Sequence, residues 1–198
     1  MLLRLSSTSP FARKARLAAA FLGIPLEEKM ADTASSSDSL RIENPLGKIP
    51  TLIADDGESY YDSRVVLAYL DHVAGGGRII PADPKARLAA MRLEALADGL
   101  MDAGVLVLYE GRFRPEDRHE PRWLEYQKDK MARAVDALEK LTPNGADVNN
   151  GTITLACALG FLDFRFGGEW RASHPRLVAF QEAFAAACPR FEDTKPHA

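Results

Sequence analysis

The chain has 198 residues, 46% of them hydrophobic, so a sizeable core forms and global disorder is excluded. Basic and acidic side chains number 25 and 28, for a net charge of −3. The balance holds on either side of residue 84, with 9 basic and 11 acidic residues before it and 16 and 17 after it; neither half offers a dedicated nucleic-acid or anionic-membrane surface.

The start, Met1-Leu-Leu-Arg-Leu-Ser, lacks the apolar run and cleavage site of a signal peptide. Leu2 to Leu5 reads as a short strand. Phe11, Ala15, Ala18 and Leu22 then recur at helical spacing, and Gly23 stops that helix. Ile24 to Met30 suits a second strand, with Pro25 near a sheet edge. The serine-rich stretch Ala34 to Glu43 supports at best a short helix. Ile49 to Ile53 reads as a strand, Asp56-Gly57 as a tight turn and Ser59-Tyr60-Tyr61 as the hairpin partner. Val65, Val66, Tyr69 and Leu70 mark a closing helix. The order is that of an α/β unit with strands of mixed direction, residues 1–74.

Residues 75–84 form a linker, with the triplet Gly75-Gly76-Gly77 and the breakers Pro81 and Pro84. A glycine triplet also suits a phosphate, but it follows a helix here and no GxxxxGK[ST] pattern exists in the chain. Residues 85–198 are helical throughout. Leu93, Leu96, Leu100 and Val107 form one stripe; Leu124, Met131, Val135 and Leu138 a second; Leu155, Leu159, Leu162 and Phe166 a third; Leu177, Phe180 and Phe184 a fourth. An all-α bundle of four to five helices is expected, Pro175 opening the last. The stretch Val148 to Leu162, interrupted by Asn149, Asn150 and Gly151, is too short and polar to span a bilayer, which takes about 20 apolar residues. Cys157 and Cys188 have neither metal-site nor disulfide-framework spacing, which favours a reducing compartment. Cys157 lies between Leu155 and Leu159 and reads as a core residue. His72, His119, His174 and His197 are scattered, so no metal site is expected.

Three segments carry chemistry. Ser9-Pro10 is an N-cap and N1 pair, and a hydroxyl there sits beside free N–H groups and the positive end of a helix dipole. It caps the helix, or it stabilises an incoming thiolate as well. Pro50 opens a strand; it is a plain edge proline, or a cis proline that exposes the Ile49 backbone to a peptide-like ligand. Asp62 and Ser63 precede a helix; they cap it, or Ser63 binds a carboxylate and Asp62 an ammonium group.

Taken together, Ser9-Pro10-Phe11-Ala12-Arg13, Asn44-Pro45-Leu46-Gly47-Lys48-Ile49-Pro50, and Asp62-Ser63 with Tyr69-Leu70 resemble the glutathione transferase family, in its bacterial type with serine at the thiol site. The stretch Cys157 to Arg165 is similar to the sixth helix of bacterial members. The resemblance implies the GST fold: an α/β thioredoxin-like N-terminal domain that binds glutathione, followed by the all-α C-terminal helical bundle. It implies a catalytic Ser9, acting as a hydrogen-bond donor to the glutathione thiolate. It assigns the cysteinyl backbone to Ile49 before cis Pro50, the γ-glutamyl end to Asp62 and Ser63, and the glycyl carboxylate to Lys48 ahead of Arg41. The electrophile site is expected from Ser7, Thr8, Phe11, Tyr109, Arg112 and Phe113; Trp123 and Trp170 read as packing residues. The implied protein is a cytoplasmic homodimer that conjugates small hydrophobic electrophiles in detoxification, without metal, nucleic-acid or membrane partners. Two alternatives remain: a glutathione-dependent disulfide or peroxide reductase, and a non-catalytic relative that binds a protein partner. The sixth helix departs from the family's Ser/Thr-x-x-Asp capping box. Thr152 stands where the acid is usual and Asn150-Gly151 favours a turn, so Thr152→Asp is expected to stabilise the protein.

Overall fold

The computed structural model describes residues 1–141 and 143–196; His197 lies outside them. The elements are β1 (Leu2–Leu5), α1 (Pro10–Leu22), β2 (Glu27–Met30), α2 (Leu40–Glu43), β3 (Thr51–Ile53), β4 (Ser59–Tyr60), α3 (Ser63–Val73), α4 (Pro84–Phe113), α5 (Pro121–Leu141), α6 (Asn150–Phe166) and α7 (Pro175–Ala187). The sheet runs β2-β1-β3-β4, with β2 parallel to β1 and the other neighbours antiparallel. This is the thioredoxin-like α/β unit followed by a helical bundle.

The strands are shorter than the sequence pattern suggests. Ile24 and Leu26 pack on the core rather than joining β2, whose own residues are all exposed at the sheet edge. Ile49 and Pro50 stay outside β3, and Tyr61 outside β4. The weak stretch before β3 is held by Arg4 of β1, buried beneath it. Its guanidinium donates to Asp38 at 2.6 Å, to Ser39 at 2.9 Å and to Glu43. Two backbone N–H groups, from Asp32 and Leu40, and then Arg4 hold the Asp38 carboxyl down to about 2.

The glycine triplet cradles an anion that the chain itself supplies. Gly75, Gly76 and Gly77 all have positive φ, which glycine adopts without steric cost. They turn the backbone so that the N–H groups of Gly77, Arg78, Ile79 and Ile80 reach the Asp71 carboxylate at 2.7–3.3 Å. Asp71 lies in the last turn of α3 and Pro84 opens α4, so the connection is folded around one side chain.

In the second half, α4 packs on α5 and α6, and α6 also packs on α1. Residues Asn150 to Leu162 of α6 are all buried, which makes it the central strut. Its start is helical, not the turn that Asn150-Gly151 suggests. The capping box is complete: Asn149 Oδ1 accepts from Gly151 and Thr152, and the Asn149 N–H donates to Thr152 Oγ1 at 2.8 Å. Gly151 is required by close approach, because a Cβ there would lie 2.6 Å from the Ala90 carbonyl of α4. Of the two tryptophans, Trp170 is buried, but Trp123 is exposed and stacks on Tyr126 at the surface.

Candidate functional site

Ser9 caps α1 from an extended conformation, and its Oγ accepts the Ala12 N–H at 3.2 Å. That bond uses a lone pair and leaves the hydroxyl proton to be donated. The nearby hydroxyls of Ser6 and Thr8 bond each other at 3.2 Å. That contact uses one of their two protons; Ser9, which caps the helix itself, has a hydroxyl proton with no acceptor among the described residues.

The Ile49–Pro50 bond is cis, and so is Tyr61–Asp62. The loop before Pro50 is braced by the buried Asn44, whose Nδ2 donates to the Lys48 carbonyl at 2.9 Å and to Thr51 Oγ1 at 3.2 Å. The main chain of Ile49 makes no hydrogen bond among the described residues. It is available as an edge for a ligand backbone. Lys48 is exposed at this loop, and the stem of Arg41 lies over Gly47.

Asp62 caps α3 by accepting the Arg64 N–H at 3.0 Å. Ser63 follows as the first helical residue, with its N–H among the unsatisfied donors of the helix start. The Ser63 side chain is buried and touches Lys14 of α1, which the sequence reading missed. Lys14 also bonds Glu94 and Asp98 of α4, and Arg64 closes on Asp98 at 2.7 Å. Asp102, one turn beyond Asp98, has its carboxyl pushed up by desolvation and by the Asp98 charge, with Arg64 and Lys48 opposing. One signal for this cluster was present: Ala90, Glu94, Ala97, Asp98 and Met101 share a helix face, an acidic pair set in a small apolar stripe.

The electrophile candidates fall into two groups. Ser7, Thr8, Ser9 and Pro10 line a small pocket together with Arg13, Cys157, Phe161 and Pro196. Phe11 packs partly into the core. Tyr109, Arg112 and Phe113 form a separate cluster at the end of α4: the rings meet edge to face at 5.2 Å, and the guanidinium lies 5.4 Å from each. They do not line the pocket beside Ser9; the wall opposite the serine comes from α6 and the C-terminal segment. Burial pushes the Cys157 thiol up to about 12 and the Cys188 thiol up to about 11. Among the described residues, no group of three or more His, Cys, Asp or Glu side chains is arranged to hold a metal, and no helix is long and apolar enough to cross a membrane.

A family model for the glutathione S-transferase N-terminal domain matches residues 5–78. The uncharacterised GST-like protein YibF of Escherichia coli K12 is 35% identical over 182 residues, covering 89% of this chain and 90% of its own. The chain belongs to the glutathione S-transferase family. Two solved structures are similar over the full length. One is a glutathione S-transferase from Methylobacillus flagellatus KT with GSH bound, 37% identical with a TM-score of 0.92 and 99% of each chain covered. The other is a glutathione transferase family member from Pseudomonas fluorescens Pf-5 with bound glutathione, 38% identical with a TM-score of 0.89, covering 100% of this chain and 99% of that one.

Proposed function

We propose that the protein is a glutathione transferase of serine type, in which Ser9 holds the glutathione sulfur as a thiolate for attack on small hydrophobic electrophiles. The observation that carries this reading is the uncommitted Ser9 proton at the start of α1, in a chain whose relatives bind glutathione. The Ile49 main chain pairs with the cysteinyl backbone, Asp62 and Ser63 take the γ-glutamyl ammonium and carboxylate, and Lys48 takes the glycyl carboxylate. The electrophile enters beside Ser7, Thr8 and Phe11; Tyr109, Arg112 and Phe113 stand apart from that pocket at the end of α4. The protein works as a cytoplasmic homodimer in detoxification.

The energetics suffice without a general base. A free thiol has a pKa of about 8.5, and lowering it by two units takes about 2.7 kcal/mol of thiolate stabilisation. A helix N-terminus contributes about 0.3–2 kcal/mol, and one hydrogen bond to an anion about 1.5–3 kcal/mol. The thiolate attacks the electrophilic atom and forms the carbon–sulfur bond as the leaving group departs or the charge moves onto the acceptor. Ser9 donates throughout and forms no covalent bond. A reductase cycle that uses a protein thiol gains no support, since both cysteines are buried with raised thiol pKa values.

Titrating thiolate absorbance near 240 nm with glutathione bound tests the reading. A midpoint well below about 8.5 is expected, and Ser9→Ala should return it toward that value and slow conjugation by roughly 10- to 100-fold, the loss of one charge-assisted bond. Conjugation at the wild-type rate by Ser9→Ala would remove Ser9 from the mechanism.

A further inference from the structure

Lys14 is completely buried, and the structure shows where each of its protons goes. An ammonium group has three donors and no acceptor. Nζ lies 3.2 Å from Ser63 Oγ, 3.1 Å from Glu94 Oε1, and 2.8 and 3.1 Å from the two Asp98 carboxylate oxygens. Three partners match three protons. The charges around it are balanced: Glu94 and Asp98 against Lys14 and Arg64, with Asn150 Nδ2 donating to the second Glu94 oxygen at 2.7 Å.

The consequence falls on Ser63. Because Lys14 only donates, Ser63 Oγ is the acceptor in their contact. Its own proton must point elsewhere, and no acceptor for it exists among the described residues. The Ser63 N–H at the start of α3 is unbonded as well. One residue therefore presents two donors, a hydroxyl and a backbone amide, at the positive end of a helix, with the hydroxyl's direction fixed from behind by a buried cation.

We infer that Lys14 is a positioning residue for the carboxylate of the γ-glutamyl group, holding the Ser63 hydroxyl as an outward donor. This rests on the proposed binding of glutathione at Ser63. The hydroxyl belongs to α3, its tether to α1, and the carboxylates that anchor the tether to α4. The affinity of the α/β half for glutathione thus depends on its seat against the helical half.

The test is a double-mutant cycle on glutathione affinity, read by calorimetry. Lys14→Met with Glu94→Gln removes one cation and one anion together; the new amide keeps an acceptor for Asn150, and Asp98 keeps Arg64. The pair should weaken glutathione binding about tenfold, within what one hydrogen bond to a charged group contributes, and leave KM for the electrophile unchanged. In a Ser63→Ala background the same pair should have little further effect. Equal weakening in both backgrounds would mean that Lys14 acts only through general structure and would overturn the inference, as would wild-type affinity in the pair. If Ser63→Ala alone leaves glutathione affinity intact, the assignment of Ser63 to the γ-glutamyl end fails, and the inference goes with it. Should the pair not melt cooperatively, Lys14→Arg, which keeps the charge but changes the donor geometry, takes its place in the cycle with the same readout.

Discussion

Arg13 and Lys14 are neighbours on α1, both are buried, and they meet the cost of a buried charge in different ways. Lys14 faces α3 and α4 and is matched by two carboxylates. Arg13 faces α6 and the C-terminal segment, and no carboxylate lies within ion-pair distance among the described residues. Its guanidinium donates to the Phe191 carbonyl at 2.8 Å and to Thr194 Oγ1 at 3.2 Å, and it sits 4.5 Å from the centre of the Phe191 ring. Desolvation lowers its pKa, yet an arginine stays charged under such pressure, whereas a lysine in the same place would give up its proton more readily. The delocalised cation is the one that neutral oxygens and a ring face suffice to hold. The point charge is the one given full counter-ions.

This difference predicts unequal costs of removal. Lys14→Met alone leaves the buried Glu94 without a cation and Asp98 with Arg64 only, and should lower stability by about 3–5 kcal/mol. Arg13→Met strands only a carbonyl and a hydroxyl and should cost about 1–2 kcal/mol. Chemical denaturation of both variants measures the gap; equal losses would break the comparison. A smaller probe adds an anion where no cation waits. Thr152→Asp, which the sequence alone suggests as stabilising, removes the hydroxyl that donates to the Asp147 carbonyl at 2.7 Å and buries a charge beside it. We now expect it to lower stability by about 1–2 kcal/mol; a raised Tm would restore the sequence-based reading.

The smallest effect concerns Arg4, a third buried cation, which like Lys14 has carboxylate partners. Its partner Asp38 has a folded pKa of about 2 against an ordinary 3.8. A depressed carboxyl contributes stability above the unfolded value and loses it as pH falls through the folded one. Stability should therefore decline between about pH 3.8 and 2, and Asp38→Asn should flatten that part of the curve. An unchanged slope in the variant would detach Asp38 from acid sensitivity.

The local geometry of three candidate segments was legible, the cap at Ser9, the cis bond at Pro50 and the cap at Asp62, because each is set by near neighbours. Ser9 before Pro10, Pro50 after a braced loop and Asp62-Ser63 before an apolar period are all read within a few residues. The fold class followed from the change of hydrophobic period near residue 75. What the sequence did not disclose is what distance along the chain conceals. Lys14 meets Glu94 and Asp98 across roughly eighty residues. Pro196 reaches the pocket of Ser7 to Pro10 from the opposite end of the chain. The misreading at Asn150-Gly151 has the same origin. A local turn preference yielded to a helix start locked by Glu94 and by the close passage of Ala90. Trp123 erred the other way, its bulk suggesting a core that the surface of α5 does not provide.

The connection between the two halves works as a welded joint rather than a hinge. With four amides gathered on Asp71, swinging the helical half away would cost several hydrogen bonds to one carboxylate before any side chain moved. The spacing between the two halves is therefore set by this joint; under the proposed function, electrophiles would be selected by whether they fit that fixed spacing, and selectivity would be altered by reshaping its walls rather than by easing a closure.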